Sequence, residues 1–208
     1  GKLAIPGLIE GHGHYMRLGQ TLMALDLRYA KSWEEIVEMV AQKLQEVEDG
    51  VWILGWGWHQ EKWEKKPKRS FEGLPYHHDL SAISPNNPVM LSHTSGHGEF
   101  INAKGMEMAG ITKDTPDPEG GEIVRDEQGE ALGMLRESAA KFIDDVYDAY
   151  LQSRSPENLE QEHRQQVALA AQEALENGIT SFQDMGSSFE EVALLKTMAS
   201  EENLPVRL

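Results

Sequence analysis

From about residue 138 onward the chain alternates helix and strand. Helix signals cover about 138–151 and 156–177, a strand 179–184, a helix 188–202, and a further strand begins at Pro205-Val206-Arg207-Leu208. This rhythm constrains the fold more than any other feature, because strands linked through helices lie parallel in one sheet. The punctuation agrees with it. Ser155 is a cap, Pro156 stands at the first helical position, and Gly178 follows the helix end. The stretch 51–131 breaks the rhythm and reads as an inserted α+β subdomain. Three segments follow: 1–50 with a first strand and helix, 51–131 inserted, and 132–208 with further βα units.

Earlier in the chain, Leu3 to Ile9 is an apolar run punctuated by Pro6-Gly7, read as a buried strand ending near Glu10-Gly11. Residues 32–49 form the clearest helix. Ser32 and Glu35 make a capping box, and Trp33, Ile36, Val37, Val40, Leu44 and Val47 share one face. Val51 to Gly55 is a strand, and Pro88 to His93 another. Asn102 to Ala109 reads as a helix stopped by Gly110. The run 122–135, interrupted by Glu127-Gln128-Gly129, reads as a hairpin.

Composition removes several classes of function. Nineteen Lys and Arg against 35 Asp and Glu leave a net charge of −16. A phosphate backbone is repelled by such a field, so nucleic acid is not an expected partner. The absence of cysteine excludes disulfides, CxxC redox chemistry and thiolate metal sites, and is compatible with the cytoplasm. No apolar run approaches the roughly 20 residues that a membrane span needs.

His12-Gly13-His14 is the first candidate for chemistry. Residues i and i+2 of a strand face the same way, so both imidazoles can meet one ion at the strand's C-terminal end. Asp184 closes a later strand, where it either faces a pocket or caps the helix beginning near Ser188. Four of the five tryptophans fall between positions 52 and 63. Among them Trp58 is the candidate for an aromatic wall of a small-molecule pocket. His77-His78 looks like a metal pair, but adjacent residues of a strand point apart, and in a loop such a pair is solvated.

Pro6-Gly7-Leu8-Ile9-Glu10-Gly11-His12-Gly13-His14 resembles the opening metal motif of the amidohydrolase superfamily, with Glu10 where that family generally has Asp. Trp52 to Trp58, Ser95-Gly96-His97 through Asn102, Gly110-Ile111-Thr112, Pro118 to Ile123, Gly133 to Ala139 and Gly178 to Gly186 are similar to one branch of it. This is the amidohydrolase-3 type, which contains N-substituted formamide deformylase. The resemblance implies a metal-dependent (β/α) barrel of TIM type and hydrolysis of a C–N bond by metal-activated water. His12 and His14 would then be metal ligands, and Glu137 a carboxylate bridging one or two divalent ions, zinc being expected. His97 would belong to the substrate pocket, whereas His93 departs from the arginine often found there. A full barrel needs about 250 residues, so the chain reads as an N-terminal fragment carrying a partial barrel, with strands beginning near 3, 132, 179 and 205. A small-molecule substrate and self-association are the expected partners. Two alternatives stay open: a non-catalytic small-molecule-binding fragment, and a metal-dependent hydrolase of another ester-type bond.

Overall fold

The computed structural model describes residues 3–208. They form two compact units, one holding the chain up to Met23 and from Arg154 onward, the other Ala24–Ser153. No helix among the described residues is long and apolar enough to cross a membrane.

The first unit opens with strand β1 (Leu8–Gly13) and helix α1 (Tyr15–Met23). The chain then passes through the second unit, which contains β2 (Leu25–Asp26), α2 (Trp33–Leu44), β3 (Ile53–Trp58), β4 (Ser70–Phe71), β5 (Leu74–Pro75), α3 (His78–Ile83) and β6 (Val89–His93). Next come β7 (Gly98–Ile101), α4 (Ala103–Met108), β8 (Gly121–Arg125), β9 (Ala131–Glu137) and α5 (Lys141–Ser153). It returns with α6 (Pro156–Glu176), β10 (Ile179–Asp184) and α7 (Phe189–Ser200).

In the first unit β1 and β10 pair in parallel, with Gly13 opposite Asp184. Arg207 forms a further parallel bridge to Ser181, and its carbonyl accepts from the Phe182 N–H at 2.7 Å. The expected βα alternation is therefore present here. Its core is Tyr15, Met16, Val167, Ala170, Ala171, Ala174, Phe182, Leu195, Met198 and Val206. The small residues of α6 let α1 approach closely, and a Cβ at Gly19 would collide with the Gln166 backbone. Ser155 caps α6 by accepting from Asn158 N–H at 3.2 Å. Ser188 and Glu191 close a capping box on α7.

The second unit is a mixed sheet of order β2-β3-β6-β7-β9-β8. The β2, β3 and β6 strands are parallel, and β7, β9 and β8 follow antiparallel. The 122–135 hairpin forms as the pair β8–β9. Its second strand, expected as a barrel strand, instead runs antiparallel to both of its neighbours. Packing on both faces holds it there. Leu132 and Met134 enter one core with Trp33, Ile36, Trp58 and Phe100, whereas Leu135 enters another with Ile101, Ile123 and Ile143. Both faces are thus covered by helices, α2 and α3 in one layer, α4 and α5 in the other. At about 1.5–3 kcal/mol for each fully buried apolar side chain, this packing fixes the strand's place. Asn102, fully buried, caps α4 and ties it to the sheet: its Oδ1 accepts from Gly105 N–H at 2.9 Å and Val89 N–H at 3.1 Å.

Candidate functional site

The C-terminal ends of β1 and β10 lie side by side in the first unit, and they bring His12, His14 and Asp184 together. The two imidazole centroids are 5.9 Å apart, edge to face. Two imidazoles sharing an ion at Zn–N distances of about 2.0–2.1 Å place their centroids about 5–6 Å apart, so the spacing fits. The His14 Nδ1 is hydrogen-bonded to the Met185 carbonyl, which fixes the ring and leaves Nε2 to face outward. Metal-ligating histidines are typically anchored in this way. Gly186 is at φ +120°, and even there an added Cβ would stand 3.4 Å from the His14 ring. The approach of Gly13 to the Phe182 ring likewise leaves no space for a side chain. Both histidines are exposed and line a cleft of about 330 Å³ with Glu10, Leu18, Glu173, Asn177 and Phe182.

Asp184 accepts from the Tyr15 N–H at 2.6 Å. Its carboxylate therefore caps α1 rather than the helix near Ser188, where the α1 macrodipole also favours negative charge. Tyr15 is buried beneath it, and its hydroxyl donates to the Val167 carbonyl at 3.2 Å. Burial pushes that phenol up to about 12.

His97 and Glu137 meet in the second unit: His97 Nδ1 is 3.2 Å from Glu137 Oε2 across 40 residues of sequence. They line a cleft of about 210 Å³ with Gln60, Leu74, His93, Ser95, Met134 and Arg136. Glu137 ends β9 at φ 51°, ψ −128°. A Cβ opposes that combination, which glycine tolerates, and strained residues of this kind concentrate at functional sites. Trp58 is fully buried behind the cleft. Its indole N–H donates to the Leu91 carbonyl at 2.9 Å, and its ring meets His93 edge-on at 4.7 Å. His93 lies between Gln60, 3.2 Å from its Nε2, and Ser95, 2.8 Å from its Nδ1. Burial lowers its pKa below the usual 6.5, and the positive charges of His59 and Arg136 add to this. Of the other cleft residues, Ser95 belongs to the Ser95-Gly96-His97 run and Arg136 stands at a strand end, whereas no local pattern marks Gln60.

His77 and His78 lie at the start of a helix, not on a strand, so the alternation argument against them does not apply. Their rings stack, with centroids 4.4 Å apart and planes 18° apart. With Glu130 they offer three ligand atoms that lie within 4.8 Å of one another.

Comparisons with known proteins give one consistent pattern. Residues 1–208 match a model described as "Amidohydrolase family". The chain is 32% identical to Protein LONG AFTER FAR-RED 3 of Arabidopsis thaliana over 189 residues, covering 91% of this chain and 30% of that protein. It is 29% identical to N-substituted formamide deformylase of Arthrobacter pascens over 145 residues, covering 69% of this chain and 26% of the enzyme. Among solved structures, an uncharacterized metal-dependent hydrolase from Pyrococcus horikoshii superposes with a TM-score of 0.63 at 23% identity, over 97% of this chain and 35% of that one. The chain thus spans about a third or less of the length of each of these relatives.

Proposed function

The chain belongs to the amidohydrolase family, and from that premise we propose that it supplies a divalent-metal centre for hydrolysis of a C–N bond in an amide, formamide or cyclic amide. The observation that carries this reading is the His12–His14 pair at a strand end, 5.9 Å between ring centroids, with His14 anchored through Nδ1 on a backbone carbonyl. When bound, the ion, zinc in this reading, lowers the pKa of a bound water to about 7 and polarises the scissile carbonyl.

The residues of the chain have separate tasks. His12 and His14 hold the ion through neutral imidazole nitrogens. Asp184, bonded to the Tyr15 N–H, clamps the backbone immediately after His14 and so keeps that ring in place. By its likeness to the family Glu137 would be a carboxylate ligand, and the strain it bears at φ 51° supports a functional use. His97, bonded to the Glu137 carboxylate, orients it and belongs to the substrate pocket, with Trp58 as the wall behind. In this reading β1, β10 and the segment at 205–208 are strands of a partial (β/α) barrel.

The test combines metal analysis with turnover. The protein is dialysed against a chelator, reloaded with Zn²⁺, and assayed for amine release from a panel of N-alkylformamides, linear amides and cyclic amides. Reloading should restore both bound metal and turnover. His12→Asn, His14→Asn and Glu137→Gln should each lower both, and turnover indifferent to the chelator and to all three substitutions would sink the reading.

A further inference from the structure

A second group of metal-ligating side chains shares no residue with the metal centre proposed above. His77 precedes α3, His78 is its first residue, and Glu130 immediately precedes β9. The geometry points to a transition-metal site formed by His77, His78 and Glu130, a clip that joins the start of α3 to the β8–β9 hairpin.

Three features support it. The donor atoms already lie within 4.8 Å of one another. Bonds of about 2.0–2.1 Å at a tetrahedral angle need donors about 3.3 Å apart. The remaining closure, about 1.5 Å, is within reach of side-chain rotation, since the His78 and Glu130 side chains are 45% and 39% exposed.

Two of the three donors are also held from behind. His77 Nδ1 is 2.8 Å from Ser81 Oγ, so with the proton on Nδ1 its Nε2 presents a lone pair. Glu130 Oε2 accepts from Arg69 at 2.9 Å while Oε1 faces His78 Nε2 at 2.9 Å. One oxygen is thereby oriented and the other is left for an ion, as in ligating carboxylates held by a neighbouring donor.

The present His78–Glu130 contact is an exposed pair of small intrinsic value, so an ion displaces little. Two imidazoles and a carboxylate select zinc, nickel or cobalt over magnesium or calcium. The Arg69 guanidinium opposes a cation. Against it stand Glu130 itself, Asp126, which accepts from the Glu130 N–H at 2.9 Å, and the chain's net charge of −16.

The site is separable from His12 and His14 by mutation. In a His12→Asn/His14→Asn protein, equilibrium dialysis with Zn²⁺ alone should still find one tightly held equivalent, and Ca²⁺ should find none. Zn²⁺ should also raise the thermal midpoint read by tryptophan fluorescence, because all five tryptophans lie within Ala24–Ser153. Adding His78→Asn or Glu130→Gln to that background should weaken Zn²⁺ at least tenfold and abolish the shift. The metal-free midpoints of these variants, compared first, would expose a folding defect. An equivalent retained at unchanged affinity in both added variants, or no equivalent in the parent background, would overturn the site. Neither outcome bears on whether His12 and His14 hold an ion of their own.

Discussion

Replacing Glu137 by glycine should stabilise the protein while removing the carboxylate that the hydrolytic reading requires. The residue sits at φ 51°, ψ −128°, where a side chain bearing a Cβ costs about 1–3 kcal/mol. Glycine relieves that strain but adds about 0.5–1 kcal/mol of unfolded-chain freedom. The bond to His97 joins two exposed side chains and contributes at most about 1 kcal/mol. The clean comparison is therefore Glu137→Gly against Glu137→Ala, since both lose that bond and only alanine keeps the strain. Glycine should come out about 1 kcal/mol more stable. With a urea dependence of about 1.5–2 kcal/mol per molar, its midpoint should lie about 0.6 M above that of the alanine variant. Tryptophan fluorescence reads this unit alone, because Trp33, Trp52, Trp56, Trp58 and Trp63 are all within Ala24–Ser153. Ala82→Gly, at an exposed position in α3, supplies the ordinary sign, a loss of about 0.5–1 kcal/mol. If the glycine variant at 137 is no more stable than the alanine variant, the strain is absent and the argument from it fails.

Asn102→Ala should destabilise the same unit by about 3 kcal/mol, since it removes a helix cap and strands the buried Val89 N–H together with the carbonyls of Ser84 and Asn87. Fluorescence melting should show a midpoint lower by about 10 °C, and a drop below about 3 °C would contradict the network. His93 has its pKa lowered from 6.5 by burial, so the unfolded chain binds its proton first as the pH falls. Stability should therefore decline as the pH falls below 6.5, and His93→Gln should flatten the slope of urea midpoint against pH there; an unchanged slope refutes the assignment. Strand β1 has one edge without a strand partner among the described residues, and Leu3, Ile5, Leu8 and Ile9 are exposed at 90%, 73%, 57% and 68%. Light scattering at micromolar concentration should register a dimer or larger species, and a monomer would contradict that.

Local chemistry was legible without coordinates. Ser32 and Ser155 cap the helices that their spacing announces, and Glu127-Gln128-Gly129 turns the hairpin, because caps and turns are decided within a few residues. The His12–His14 pair is readable for the same reason: a strand's two-residue period places both rings on one side.

What the tertiary structure alone decided is non-local. The apolar pattern of 132–135 suits a parallel or an antiparallel strand equally, and only its placement between β7 and β8, with helices over both faces, selected the latter. Trp58 reads in sequence as a pocket wall, but its burial and its bond to Leu91 are set by strand β6 beside it. Glu137 carries its backbone strain, and meets His97, only because the sheet closes there. Glu130 reaches His77 and His78 across more than fifty residues. No local period encodes a contact at that separation, since it forms only when the packing of the whole sheet outweighs the entropy of closing the intervening loop.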